Sequence, residues 1–244
     1  MKTVLSFMLC FISLALFTSC SDDDNPANSV KITGSGNITS IERTLPDFHS
    51  VILVATGNVN IASGSQQAVS ISADDNFHQY IITSVTNGIL VISSSPNTTF
   101  SNNNLTVNLM MTDLENVILT GMGNIAGTNN FQVDVLDIDL IGMGNITLNA
   151  DVTRLNSLLS GTGNIILSGS AVNHFYNHPG DGNLVAFNLI TDTTNISLGG
   201  EGNIEIYTND YLDGILSGSG TIYYKGQPSI NLTFTGTGHL IDSN

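Results

Sequence analysis

Three groups of residues in this sequence have types and spacings that chemistry would use. The first is Asp134, Asp137 and Asp139, crowded into one β-type run. If Leu136, Ile138 and Leu140 point into a core, a period of two sends Asp137 and Asp139 outward together. Two outward carboxylates could serve as a glycosidase pair or hold Ca²⁺. More often such a pair is a solvated face. The second group is His174, His178 and Asp181, within Asn173–Asp181. Histidines four apart have ligand spacing on a helix, but this stretch reads as strand and turn, where they share one face roughly 13 Å apart. No metal is expected there, and His178 reads as a core position. The third group is the cations Arg154 and Lys225, one of which a polysaccharide lyase would need as its base. They lie seven residues before Gly161 and seven after Gly218, three repeats apart, too far to share a site. Gly199-Gly200-Glu201-Gly202-Asn203 has the look of the calcium-binding nonapeptide repeat, but lacks its nine-residue period and its Asp. The expectation is therefore no catalytic residue, no metal and no cofactor.

The elements that carry these residues are set by a recurring Gly-x-Gly-Asn-Ile motif. It begins at Gly121, Gly142, Gly161, Gly180, Gly200, Gly218 and Gly236, with steps of 21, 19, 19, 20, 18 and 18 residues. The second glycines are Gly123, Gly144, Gly163, Gly182, Gly202, Gly220 and Gly238. A near-constant step marks a repeat architecture. Gly34–Ile38 and the degenerate Ala55–Val59 extend the theme backwards.

Two residues before each first glycine stand Leu119, Leu140, Leu159, His178, Leu198, Leu216 and Phe234; four after it stand Ile125, Ile146, Ile165, Leu184, Ile204, Ile222 and Leu240. All but His178 are apolar, so each corner lies between short strands that send alternate side chains into a core. The glycines supply positive φ at the corner. A hairpin meander would put a corner at each end and make alternate copies differ. Here the same corner recurs once per full turn, as in a chain wound one way with rungs about 4.8 Å apart. Asn124, Asn145, Asn164, Asn183 and Asn203 follow the corner, with Thr221 and His239 in the last two copies. Stacked amides can form a hydrogen-bonded ladder; alternatively each Asn simply tolerates an unusual backbone angle beside Gly. The expected fold class is all-β, a right-handed parallel β-helix with repeats of about 19 residues.

Residues 1–19 combine Lys2, an apolar run from Val4 to Phe17 and the small pair Thr18-Ser19, which reads as a signal peptide too short for an ordinary membrane span. Leu16–Cys20 resembles a bacterial lipobox, with Phe17 departing from its usual Leu, and makes Cys20 the expected lipid anchor; an ordinary secretory signal cleaved nearby is the alternative. Residues 20–29, with Asp22-Asp23-Asp24, read as an acidic flexible tether. The triplet resembles the surface-export signal of Bacteroides-type lipoproteins. With Cys10 removed, no internal disulfide can form. Residues 30–244 read as one solenoid domain, irregular over 30–115 and regular over 116–244. Lys31, Arg43, Arg154 and Lys225 face 20 acidic residues in the mature chain. Such a surface repels nucleic acid and anionic lipid headgroups.

In the irregular half, Val51–Val54, Val69–Ser72, Tyr80–Ile82, Ile89–Ile92 and Leu105–Leu109 are β-type runs, and Asn87-Gly88 signals a local hairpin. The order Gly-Ser-Gly-Asn-Ile, Arg43–Phe48, Val69–Asn76, Thr86–Leu90 and then serial Gly-x-Gly-Asn-Ile resembles the head GIN domain family of auto-transporter adhesins, over nearly all of 34–240. The resemblance implies a pectin-lyase-like superhelix with tight Gly-x-Gly turns on a cell-surface protein acting in adhesion, and supplies no catalytic residues. The functional expectation is a non-catalytic outer-membrane lipoprotein, displayed at the cell surface and binding host or environmental glycan or protein. The alternatives are a polysaccharide-degrading enzyme using Asp137 and Asp139, and a structural envelope protein that assembles as a homo-oligomer. The ends of the solenoid need caps, for which Lys31–Phe48 and Ile241–Asn244 are the candidates.

Overall fold

The computed structural model describes residues 29–244. The segment expected to be a signal peptide (1–19), Cys20 and the expected tether up to Asn28 lie outside the described residues. Among the described residues there is no α-helix, only one 3-10 turn at His78–Tyr80.

The regular half is a parallel β-solenoid. Its strands are β10 (Asn116–Leu119), β11 (Met122–Leu140), β12 (Met143–Leu159), β13 (Thr162–His178), β14 (Asn183–Leu198), β15 (Ile204–Leu216), β16 (Thr221–Lys225), β17 (Ser229–Phe234) and β18 (His239–Asp242). Every pairing among them is parallel. The register stacks the repeats on one another: Gly123, Gly144 and Gly163 align, as do Leu119, Leu140 and Leu159. The strands are not short pieces on either side of a corner. β11 to β14 run 16 to 19 residues, each round almost a whole turn.

Inside each turn the alternation of buried residues slips once. In β12, Ile146, Leu148, Ala150 and Val152 point inward, Thr153 and Arg154 are both exposed, and Leu155, Ser157 and Leu159 are buried. Two successive outward residues mark one bend, and the register shift between Ala126 and Asn130 of β11 marks another, so a turn consists of a first leg after the glycine corner, a short middle leg and a third leg. The third leg leads into the next corner. The core is the stack of inward residues, with Ile125, Ile146, Ile165, Leu184, Ile204 and Ile222 on one wall.

Positive φ explains only part of the glycine pattern. Gly163 has φ +140°, but Gly202 is not in that region, and a Cβ there would lie 1.5 Å from the carbonyl oxygen of Gly182. The repeated glycine is thus demanded chiefly by the close approach of successive rungs, a reason that applies at corners of either geometry.

At the N-terminal end the order of rungs departs from the order of the chain. β3 (Ser50–Leu53) pairs with β10, and β4 (Gly57–Ser63) pairs with β11, so Ala55–Val59 is a true corner. The chain then leaves the stack and lays β7 (Ile89–Ser94) on the far side of β3 and β9 (Thr106–Met111) on the far side of β4. This outer rung is closed by antiparallel strands: β5 (Ala68–Asp74) on β9, β2 (Ile38–Glu42) on β5, and β6 (Ile81–Thr86) on β7. Asn87 (φ 51°) and Gly88 (φ 75°) form the tight turn of the β6–β7 hairpin. Antiparallel strands end a parallel stack without offering its register to another chain.

Gly34–Ile38 is not a corner. It leads into β2, and its polar groups are clasped by Asp74 and Asp75: Gly36 N donates to Asp74 Oδ1 (2.6 Å), Ser35 Oγ to Asp75 Oδ1 (2.6 Å) and Asn37 Nδ2 to Asp75 Oδ2 (2.9 Å). Arg43 ties the same end together by donating to Thr83 Oγ1 and to the carbonyls of His78 and Ile81. At the C-terminal end Asn244 bonds both the N–H and C=O of Gly226, its amide standing in for one residue of a further strand. The tail caps no more than that, and β17 and β18 remain largely exposed.

Candidate functional site

Parallel stacking turns each outward position into a line. On the first leg, Asn124 Nδ2 donates to Asn58 Oδ1 (2.9 Å), Asn145 to Asn124 (3.0 Å), Asn164 to Asn145 (2.8 Å) and Asn183 to Asn164 (3.0 Å). The ladder ends at Asn203, whose backbone N–H, not its amide, donates to Asn183 Oδ1. A second set runs along the third leg. Asn156 donates to Asp137 Oδ1 (2.6 Å), and Asn195 and Asn231 both donate to Asp213. The first ladder holds amides at rung spacing; the third-leg set is broken at Phe175, which stands between Asn156 and Asn195.

Asp137 and Asp139 lie two residues apart on the third leg, with Leu136, Ile138 and Leu140 buried. Asp139 sits in register between Ile118 and Leu158, both partly buried. Burial there, with the charge of Asp137 second, pushes its carboxyl up to about 6. Asp137 is engaged by Asn156, whose Oδ1 accepts from Arg154 Nε (3.3 Å). A glycosidase sets its two carboxyls on opposite sides of a bound sugar; here both rise from one flat strand. The cations do not join them. The Arg154 guanidinium lies over Phe175 (4.4 Å) and the Lys225 ammonium over Phe187 (4.5 Å). Among the described residues no three His, Cys, Asp or Glu side chains gather as a metal site would require.

The inner face holds chemistry that spacing alone did not reveal. His174, Tyr176 and His178 all point inward from β13, with ring centroids 5.8 Å and 5.5 Å apart. His174 Nε2 lies 2.7 Å from Ser157 Oγ, one rung away. A Ser–His pair is the start of a hydrolase dyad, but both residues are buried, so no substrate reaches them. Burial lowers both imidazoles to about 4 and keeps them neutral. His174 Nδ1, Tyr176 OH and both nitrogens of His178 have no hydrogen-bond partner. Beyond them Thr191, Thr194 and Thr208 join hydroxyls inside the core at 2.7 to 3.1 Å. His178 takes the place held by Leu159 and Leu198 in the adjoining rungs. No local pattern signals these contacts, because they join residues of different rungs.

Among the described residues the repeats stack into a parallel β-solenoid with polar lines on its outer face. The chain belongs to the family described as "Putative auto-transporter adhesin, head GIN domain", which matches residues 47–228. Among solved structures it is similar to a putative adhesin from Bacteroides fragilis, with TM-score 0.81 and 24% identity, covering 86% of this chain and 98% of that one. It is also similar to a protein from Parabacteroides distasonis described as a putative lipid binding protein (TM-score 0.70, 20% identity, 87% and 100% covered). A putative adhesin from Parabacteroides merdae gives TM-score 0.63 at 20% identity, with 87% and 99% covered. None of the curated proteins compared with the sequence matches it. The family and most of these neighbours are described as adhesins, not as enzymes.

Proposed function

We propose that this protein is a non-catalytic adhesin module, held at the outer membrane through a lipid on Cys20 and displayed at the cell surface, where it binds glycan or protein. The observation that supports it most is the amide ladder from Asn58 to Asn183, which presents donors and acceptors at rung spacing, with shorter Asn–Asp groups along the third leg. Repeated donors and acceptors suit a ligand that is itself repetitive or extended, while among the described residues no acid–base pair or cation converges on a point where a bond would break. The acidic balance of the chain turns it away from nucleic acid and anionic lipid and toward neutral or basic partners. A bacterium deleted for the gene tests the reading: it should adhere less to surfaces coated with glycans or matrix proteins and regain adhesion when wild-type protein is restored. Unchanged adhesion across those coatings, with self-association of the purified protein in light scattering, would favour a structural envelope role.

A further inference from the structure

The middle leg of β11 is an open sheet edge. On one side β11 pairs with β12 along most of its length, from Met122 to Leu140. On the other side it pairs only at its ends, through Gly123–Gly127 with β4 and Asp137–Leu140 with β10. The preceding rung has no middle leg, because the chain leaves the stack after Ser63 and rejoins it at Asn116. Side chains seal one end of the gap: Thr128 Oγ1 donates to Ile61 O, and Asn129 exchanges two hydrogen bonds with the backbone of Ser63. At the other end Asp137 N donates to Glu115 O (2.8 Å). Between them, the backbone of residues 131–136 meets no partner on this side among the described residues.

This edge borders a groove of about 890 Å³ to which Gln132, Val133, Asp134 and Val135 all contribute. Every charged side chain lining the groove is acidic: Asp113, Glu115, Asp134, Asp137 and Asp151. Ser170 Oγ and Asn130 Nδ2 donate to the Asp151 carboxylate at 2.7 Å each, which holds its carboxyl below the usual range. An unpaired edge supplies alternating N–H and C=O groups, the complement of an extended chain. Five carboxylates choose the sign of its side chains. The Asp22-Asp23-Asp24 run of the protein itself carries the wrong one.

We infer that the groove along Phe131–Leu136 receives an extended peptide segment with Lys or Arg at alternate positions, which adds as a strand to the edge of β11. The six residues of edge bend at Asp134–Val135, in register with Thr153–Arg154, and would pair with a strand of similar length that follows the same bend. Main-chain bonds would hold it, and the carboxylates would select basic over acidic sequences. The inference rests on the binding reading above and names a partner for one place on the solenoid.

The probe is a capped octapeptide of alternating Lys and Val, titrated into the purified protein by fluorescence anisotropy, with amide hydrogen exchange measured alongside. Binding is expected, with new protection confined to amides of residues 131–136. The Glu-Val counterpart, and a Lys-Val peptide methylated at alternate backbone nitrogens, should each bind at least about tenfold more weakly. Asp134→Lys, at an exposed position, should weaken the Lys-Val peptide without changing the melting temperature. Equal affinity for the methylated peptide would reduce the site to a charge contact and overturn strand addition. Absent binding, or protection elsewhere, would overturn it too. Adhesion of whole cells to glycan coatings would be untouched by that failure, which separates it from a failure of the proposed function.

Discussion

Replacing Gly163 by Ala probes the contact on which the stack depends. A Cβ added there would lie 1.8 Å from the carbonyl oxygen of Gly144 and 2.9 Å from its carbon, at φ +140°. Carbon and oxygen approach no closer than about 3.3 Å even in favourable C–H···O contacts. The corner must therefore open by more than about 1 Å against a rung spacing of about 4.8 Å. Opening lengthens the backbone bonds beside it and the 2.8 Å bond from Asn164 to Asn145. Two polar groups left short of partners cost about 1–3 kcal/mol each. The backbone angle adds about 1–2 kcal/mol. The sum is about 3–8 kcal/mol, or a fall of roughly 10 °C or more in melting temperature for a domain of this size. Two internal controls separate the terms. Gly36 has φ +83° and nothing within 4 Å of an added Cβ, so Gly36→Ala carries only the backbone cost of about 1–2 kcal/mol. Thr162 is exposed, and Thr162→Val should change stability by about 0.5 kcal/mol or less. Calorimetry of the three variants should rank Gly163→Ala far below Gly36→Ala, with Thr162→Val near wild type. A Gly163→Ala variant as stable as Gly36→Ala would show that rung-to-rung contact does not explain the glycines.

Three further outcomes follow from named residues. His178→Leu should raise stability by about 1–3 kcal/mol, since it removes two buried nitrogens without partners. Because the folded His178 pKa of about 4 lies below the ordinary value of 6.5, its contribution is complete above 6.5 and is lost as pH falls toward 4; the variant should lose less stability across that window in urea titrations. Asp139 has the opposite sign. Its folded pKa of about 6 lies above the ordinary 3.8, so wild type should lose stability as pH rises from 3.8 to 6, and Asp139→Asn should not. Replacing Cys20 by Ala should move the protein from the membrane fraction to the soluble fraction; unchanged membrane retention would refute lipid anchoring.

The solenoid is legible in the sequence because parallel stacking is a one-dimensional pattern: a residue pairs with its equivalent one step on, so a step of 18 to 21 residues carries the register with it. The Ala55–Val59 corner is legible for the same reason, though degenerate. Gly34–Ile38 has the same letters but not the same setting. Its glycines serve a turn clasped by Asp74 and Asp75, residues some forty positions away, a relation that no period carries. The reversed order of the outer rung is hidden because β3 and β4 are short and the parallel partners laid on them, β7 and β9, come from an insertion whose pairings β6–β7 and β5–β9 are antiparallel. The open edge of β11 follows from that insertion: it exists because a middle leg is missing one rung earlier, and an absence leaves no motif. The Ser157–His174 contact and the threonine cluster were equally invisible, since inward positions of neighbouring rungs meet only once the register and the bend at Thr153–Arg154 are known.

The claim that this protein binds and does not catalyse is tested most directly by incubating the purified protein with a glycan and matrix-protein array while assaying release of reducing or unsaturated sugar ends. The account predicts retention on one or more array positions with no sugar release, and the same pattern for Asp139→Asn. Sugar release by wild type that Asp139→Asn abolishes would contradict it.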